Sequence, residues 1–368
     1  MNAAIPATRS EWVDIAKGIC IIFVVMMHSV LGVEAAAGAS GWMHAVIAFA
    51  RPFRMPDFFM ISGLFLALVI DRPWRRYVDR KVVHFLYFYA LWLTIQFLFK
   101  APGMALENGP AHALGQYLTA FVQPFGTLWF IYVLPMMFLV TRWLKQVPAP
   151  LVFAVAALLE ILPINTGWVT LDEFCSRYVY FFTGYVLAPY IFAVARWLKA
   201  RPLAALSMLA VWASVNAMLV FSATPDHLLW LIPGYTDPAG ATGGPSELPL
   251  VSLALGFAGA MAIIAVASLL AGRAWSFWLD WLGRHSIVVY LAFFLPMATT
   301  RIFLVKTGMI ADIGTMALLT LIAGVTGPVL LYFAVKWSGW GAFLFERPQW
   351  ARIDRPDQSP MPLAQPAE

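Results

Sequence analysis

Charge is what this chain has least of. Only 12% of its 368 residues are Asp, Glu, Lys or Arg, where an ordinary soluble domain carries about 25%. Cysteine is nearly absent as well. Cys20 and Cys175 show no CxxC or CxxH spacing, which argues against a structural zinc site and for two free thiols. No internal repeat is visible, and the stretch from Ala223 to Pro249 has neither Lys nor Arg. The formal charge of +5 sits in short loops between apolar runs, a pattern of membrane topology rather than of a nucleic-acid surface. Hydrophobic residues fill the gap at 61%, against roughly 45–50% in soluble domains. A water-soluble fold cannot dispose of that much apolar surface, so lipid is the expected solvent.

A helix crossing about 30 Å of hydrocarbon needs about 20 residues. That length predicts an all-α, polytopic membrane helix bundle of about ten spans, near 13–33, 44–70, 82–99, 125–144, 150–164, 174–195, 203–222, 250–271, 285–304 and 313–335. The first run resembles a signal peptide, but Asp14 and Lys17 open it and many spans follow, so it is read as uncleaved. Eighteen lysines and arginines fall on the side of the N-terminus and three (Lys100, Arg301, Lys306) on the other, with Arg51, Arg54 and Arg177 inside or at the edge of spans. By the positive-inside rule both termini are cytoplasmic. The expected organisation is a cytoplasmic N-terminus over 1–12, a transmembrane domain over 13–340 and a cytoplasmic tail over 341–368, disordered in its Pro-rich end from Arg355. The loop over 223–249 reads as a connector, with ordering over a site mouth as the alternative.

Ionisable residues inside spans cost from about 2.5 kcal/mol upward and mark functional sites. In the first span Asp14, Lys17 and His28 share a stripe. Lys17 and His28 are eleven residues apart, which at 100° per residue leaves about 20° between them and about 16 Å of rise. One face thus carries a carboxylate and a cation at its edge and an imidazole deep inside. Each alone has a structural alternative as cap, snorkelling cation or buried hydrogen-bonded ring; their alignment favours function. In the second span Arg51, Arg54 and Asp57 are spaced by three, and Pro52 and Pro56 disfavour a continuous helix. A break around 51–57 is expected, of the kind tolerated where backbone lines a cavity. Two arginines there suit a phosphate or pyrophosphate, or else an Arg–Asp pair staples the bundle. Ser62, Trp129, Ser286 and Tyr290 are further candidates for the cavity lining, and Glu160, Asp280, Arg284 and His285 are weaker signals.

Four segments resemble the acyltransferase-3 family of bacterial membrane acyltransferases. They are Asp14-Ile-Ala-Lys17 through His28, Met55-Pro56-Asp57-Phe58-Phe59-Met60-Ile61-Ser62-Gly63, Thr127-Leu128-Trp129-Phe130-Ile131, and Leu282-Gly283-Arg284-His285-Ser286 through Tyr290. The resemblance covers roughly 12–340. It implies transfer of an acyl group, most often acetyl, from a cytoplasmic acyl-CoA to a hydroxyl of an envelope or exported carbohydrate, in the bacterial inner membrane. The family histidine carries over to His28. Its usual Arg is Lys17 here, as in the sugar O-acetylase-like subgroup. The family's Arg-x-x-Arg is matched by Arg72 and Arg75 or, less conventionally, by Lys81 and His84, and the His that many members carry three residues after the fourth motif's Tyr is Phe293.

The expected mechanism has His28 as general base, Asp14 orienting Lys17, and Lys17 with Arg51 and Arg54 holding donor phosphates or polarising the thioester. Direct transfer is favoured over a covalent acyl-His28. The expected partners are acyl-CoA, a carbohydrate or glycolipid acceptor and membrane lipid, with no nucleic acid, no bound cofactor and no metal; the oligomeric state is left open. A transporter or flippase for a glycan or lipid-linked glycan is the alternative from another class, using the same buried charges as a substrate path.

Overall fold

The computed structural model describes residues 10–124, 126–232 and 244–354. The tail from Arg355, expected to be disordered, lies outside the described residues. Among the described residues there are sixteen α-helices and no strand. They are α1 (Glu11–Ala37), α2 (Met43–Ala50), α3 (Pro56–Gly63), α4 (Trp74–Val78), α5 (His84–Asn108), α6 (Pro110–Thr119), α7 (Trp129–Trp143) and α8 (Ala149–Ile161). The second half holds α9 (Val169–Val186), α10 (Ala188–Ala200), α11 (Pro202–Phe221), α12 (Pro249–Leu270), α13 (Phe277–Arg284), α14 (Ser286–Ala292), α15 (Phe294–Thr307) and α16 (Ile313–Ser338).

Local chemistry sets many of these ends. Glu11 and Asp14 open α1, where carboxylates favour the positive end of the helix dipole. Gly38 closes it in the left-handed region, at φ 70°, donating its N–H to the Glu34 carbonyl. Proline stands in the first turn of α3, α6, α8, α10, α11 and α12, where its missing N–H costs nothing. Asp312 caps α16 by accepting from the Thr315 N–H at 2.6 Å. Hydrogen bonds from Thr315 hold the Asp312 carboxyl below the usual carboxylate range.

Five stretches are long and apolar enough to cross a membrane: Glu11–Ala37, Trp74–Asn108, Pro202–Phe221, Pro249–Leu270 and Ile313–Ser338. The second of these runs α4, a π-helical turn over Asp79–Val83 and α5 into one rod. Two bent pairs, α9 with α10 at 77° and α14 with α15 at 49°, bring the number to seven if each is one span. Several of the ten expected spans are therefore not single long helices. Residues 51–55 form turns that split 44–70 into α2 and α3, flanked by Pro52 and Pro56. The expected 174–195 bends at Leu187, just before Pro189, and α8 has only 13 residues. α11 leaves Leu203, Leu206, Val211 and Met218 exposed, a surface suited to acyl chains and not to water.

The bundle is organised around α1, which packs on α12, α13 and α16. Glycine permits the closest crossings. A Cβ on Gly18 would collide with the Leu279 carbonyl, and one on Gly283 with the Asp14 carbonyl. Where α3 meets α9, a Cβ on Gly63 would strike the Phe181 carbonyl and one on Gly184 the Met60 carbonyl. Membrane helices gain little from a hydrophobic force between them, so backbone-to-backbone packing through small residues does that work. Gly283→Val and Gly184→Val are each expected to cost about 1–3 kcal/mol from overpacking. A thermal melt in detergent checks this, with Gly103→Ala, which meets open space, as the unchanged control.

Candidate functional site

The stripe on α1 is preserved in three dimensions. Asp14 is buried, and Lys17 Nζ lies 3.6 Å from its Oδ1. His28 sits eleven residues further along the same helix, about 16 Å deeper by helical rise. Its ring lies 5.5 Å from that of Phe293, and the cations that act on it are Arg54 and Lys100. The sequence reading put Lys100 in a loop after a span ending at 99. In the structure α5 runs on to Asn108, so Lys100 is helical and its Nζ lies 4.5 Å from the centre of the Phe294 ring. A helix nine residues longer than hydropathy suggests is the reason this neighbour of His28 was missed.

The break in the second span separates the three residues expected on one face. Arg51 forms an ion pair with Glu247, from the short turn before α12. Arg54, half-buried, senses Arg177, Arg51 and Glu173, and its Nε is buried with no hydrogen-bond partner among the described residues. Asp57, 1% exposed, sits in the first turn of α3 close to the Cys20 thiol of α1. Neither of its oxygens has a partner at hydrogen-bond geometry among the described residues. The alternative, an arginine–Asp57 pair stapling the bundle, is not among the ion pairs formed by the described residues.

The other candidates build the frame around this region. Ser62 donates to the Phe58 carbonyl at 2.8 Å. Tyr290 is buried and donates to the Thr127 carbonyl at 2.6 Å, while the Thr127 hydroxyl donates to Gln96 Oε1 at 3.3 Å. Gln96 Nε2 is buried and without a partner among the described residues. Phe58 stacks on Phe130 at 4.5 Å, Phe130 meets Tyr290 edge-on at 5.6 Å, and the Trp129 ring is 6.2 Å from Phe59. Three of the sequence motifs therefore meet in one aromatic column beside Gln96 of α5. Ser286 is half-buried at the start of α14.

A second charged cluster lies towards the end of the bundle where α1 finishes. Glu160 Oε1 accepts from the hydroxyls of Tyr180, at 3.2 Å, and Ser252, at 3.1 Å, while Oε2 is buried without a partner among the described residues. Arg177 pairs with Glu173 at 3.3 Å and lies in the field of both Glu160 and Arg54. Glu160 was a weak signal in the sequence; Glu173 gave none, because each sits near a span end where a charge is ordinary.

At the opposite end, where α1 begins, a cavity of about 1250 Å³ opens among Arg72, Arg75, Arg76, Arg80, Lys81, His84, Arg347 and Arg352. Seven lysine and arginine side chains face three carboxylates there, Asp79, Glu346 and Asp354. Both readings of the Arg-x-x-Arg segment, Arg72 with Arg75 and Lys81 with His84, line this one cavity. Trp74 lines it too, exposed and carrying the Arg142 guanidinium 4.6 Å from its ring. The π-helical turn Asp79–Val83 forms part of the wall, a distortion that often accompanies functional sites. Lys81 lies in the field of Lys17 of α1.

Residues 10–337 match the acyltransferase domain of the acyltransferase-3 family. The inner membrane protein YcfT of Escherichia coli (strain K12) is 26% identical over 200 residues. That alignment spans 48% of this chain and 56% of the relative, about half the length of each. No solved structure matches the chain.

Proposed function

The chain belongs to the acyltransferase-3 family, and from that premise we propose that it is a membrane-bound O-acyltransferase of the bacterial inner membrane. It moves an acyl group, most often acetyl, from a cytoplasmic acyl-CoA to a hydroxyl of an envelope or exported carbohydrate. The observation that carries this is the arrangement along the bundle: a cationic cavity at the end where α1 begins, Lys17 near the start of α1 beside Asp14, and His28 about 16 Å further along that helix. A donor with a polyanionic head and a long thin arm ending in a thioester fits that order. The excess of lysine and arginine on the same side supports a cytoplasmic cavity and cytoplasmic termini.

The reaction balances with one base. The acceptor oxygen forms a new C–O bond at the thioester carbonyl while its proton passes to His28. The tetrahedral intermediate then collapses with cleavage of the C–S bond, and the departing thiolate takes the proton from His28. Lys100 or Arg54 is the cation placed to stabilise the oxyanion. Lys17, steered by Asp14, faces the donor. Arg51 is tied to Glu247 on the far side, so its role shifts from donor to acceptor side.

The Glu160–Arg177 cluster is the acceptor side of this reading, since neutral polyols are held by carboxylates and hydroxyls that bond their OH groups. Glu160→Gln is expected to raise KM for the acceptor about tenfold, the loss of one charge-assisted hydrogen bond. Binding of CoA is expected to stay as in the wild type, and titration calorimetry checks that. The test of the whole reading is turnover of labelled acetyl-CoA by the purified chain together with mass spectrometry of envelope glycans from a deletion strain. Loss of an acetyl increment from a glycan supports it; no turnover and no mass difference would leave the transporter reading in its place.

A further inference from the structure

The chain does not leave the bundle when α16 ends. Gly339 and Gly341 turn it in the left-handed region, at φ 72° and 82°, and the residues up to Asp354 run back across the foot of α5. Two side chains of α5 fasten the start of this return. Tyr87 donates its hydroxyl to the Phe343 carbonyl at 3.1 Å, and Trp92 Nε1 donates to the Leu344 carbonyl at 3.0 Å. Asp79 of the π-helical turn fastens the rest. Arg347 donates through Nη1 to its main-chain carbonyl at 3.0 Å and through Nη2 to its carboxylate at 2.5 Å. The other carboxylate oxygen accepts the Ile353 N–H at 2.7 Å. One buried carboxylate therefore holds two points of the segment six residues apart.

Arg347 is 8% exposed and Asp79 3%. A buried ion pair is a weak stabiliser, because desolvation consumes most of its attraction. Its geometric consequence is clearer: it sets Phe345, Glu346, Arg352 and Asp354 along the cationic cavity. Arg352 is exposed there and forms no ion pair among the described residues. Across the cavity Asp354 approaches Arg76 at 4.0 Å. The family match ends at residue 337, so this wall comes from outside the shared domain.

We infer that the segment following the last helix is a wall of the donor nucleotide site, with Arg352 as a ligand to a phosphate of acyl-CoA and the Arg347–Asp79 pair as its positioning device. The inference rests on the donor reading given above. Coenzyme A carries a diphosphate and a further phosphate on its nucleotide, several anionic groups spread over one head. Such a ligand needs cations on more than one side. Arg72, Arg75, Arg80 and Lys81 supply one side from α4 and its flanks; Arg352 supplies the other, and only while Asp79 holds the segment in place.

The experiment is titration calorimetry of CoA into the full-length protein in detergent micelles, for the wild type, Arg352→Ala, Asp79→Asn and the double variant. Arg352→Ala is expected to weaken CoA binding about tenfold, the scale of one charge-assisted hydrogen bond, with the melting temperature unchanged. In turnover the effect falls on KM for acetyl-CoA rather than on kcat. Asp79→Asn is expected to weaken binding to a similar degree, and the double variant to bind no worse than Asp79→Asn alone, because an unfastened wall has already withdrawn Arg352. Unchanged affinity in Arg352→Ala overturns the inference while leaving the donor site intact. A wild type that does not bind CoA overturns the donor reading itself. Arg352 is a surface side chain, so its variant decides the matter even if Asp79→Asn fails to fold.

Discussion

If His28 is the general base proposed, His28→Ala is expected to lower the rate of acyl transfer by about 10²- to 10⁴-fold, the usual contribution of a positioned general base, with the protein still folded. The ring is half-buried and the aromatic contact it makes is with Phe293 at 5.5 Å, so truncation disturbs little packing. His28→Gln keeps size and hydrogen-bonding capacity yet cannot accept the proton at neutral pH, and is expected to be nearly as slow. On the proposed mechanism the loss falls on kcat, since the histidine would act on the acceptor oxygen while the donor nucleotide would be held beyond Lys17, itself about 16 Å of helical rise from His28. CoA affinity measured by calorimetry is the control that should not move. Acyl transfer at the wild-type rate by either variant, in folded protein, would remove His28 from the mechanism. An N-acylimidazole adduct on His28 trapped in quenched wild-type enzyme would favour the covalent route over direct transfer.

How much of this the sequence carried depends on what signal each part leaves. The all-helical membrane character follows from composition, because no aqueous fold accommodates 61% hydrophobic residues. The α1 stripe is legible because helical periodicity is rigid: eleven residues bring Lys17 and His28 to one face whatever else the chain does. The break after α2 is legible because Pro52 and Pro56 remove backbone donors. Lys100 was not, since hydropathy sees where apolar residues stop and not where hydrogen bonding stops. Nor was the partition of Arg51, Arg54 and Asp57, which depends on turns over 51–55 that the spacing rule assumed away. The fourth motif's Gly283 reads in sequence as a family letter; in the structure it is where α13 touches the backbone of Asp14. The cavity at the foot of α1 was half legible. Its arginines were visible, but Arg347 and Arg352 lie some 270 residues away in sequence from Asp79, and no periodicity reports a contact of that range.

That cavity yields the second large effect. The double variant Arg72→Ala/Arg75→Ala is expected to weaken acyl-CoA binding by about 10²- to 10⁴-fold, taking roughly 1.5–3 kcal/mol for each charge-assisted hydrogen bond lost. Arg75 is exposed, and Arg72 contributes to the fold through its main-chain carbonyl, which accepts from Arg142 Nη2 at 2.8 Å. Alanine preserves that bond, so the fold survives the change. Lys81→Ala is expected to add to the loss, because Lys81 lines the same cavity. Salt gives an independent check. Several open cations facing a polyanion make wild-type affinity fall steeply as ionic strength rises and the screening length shrinks from about 10 Å at 0.1 M to about 3 Å at 1 M. The double variant has fewer charges to screen and should show a shallower dependence. In turnover its defect appears in KM for acetyl-CoA and is relieved by excess donor, whereas the His28 defect is not relieved at any donor concentration. A double variant that binds CoA as the wild type does would mean that the cationic cavity serves some other anion, and that the donor reaches His28 by a different route.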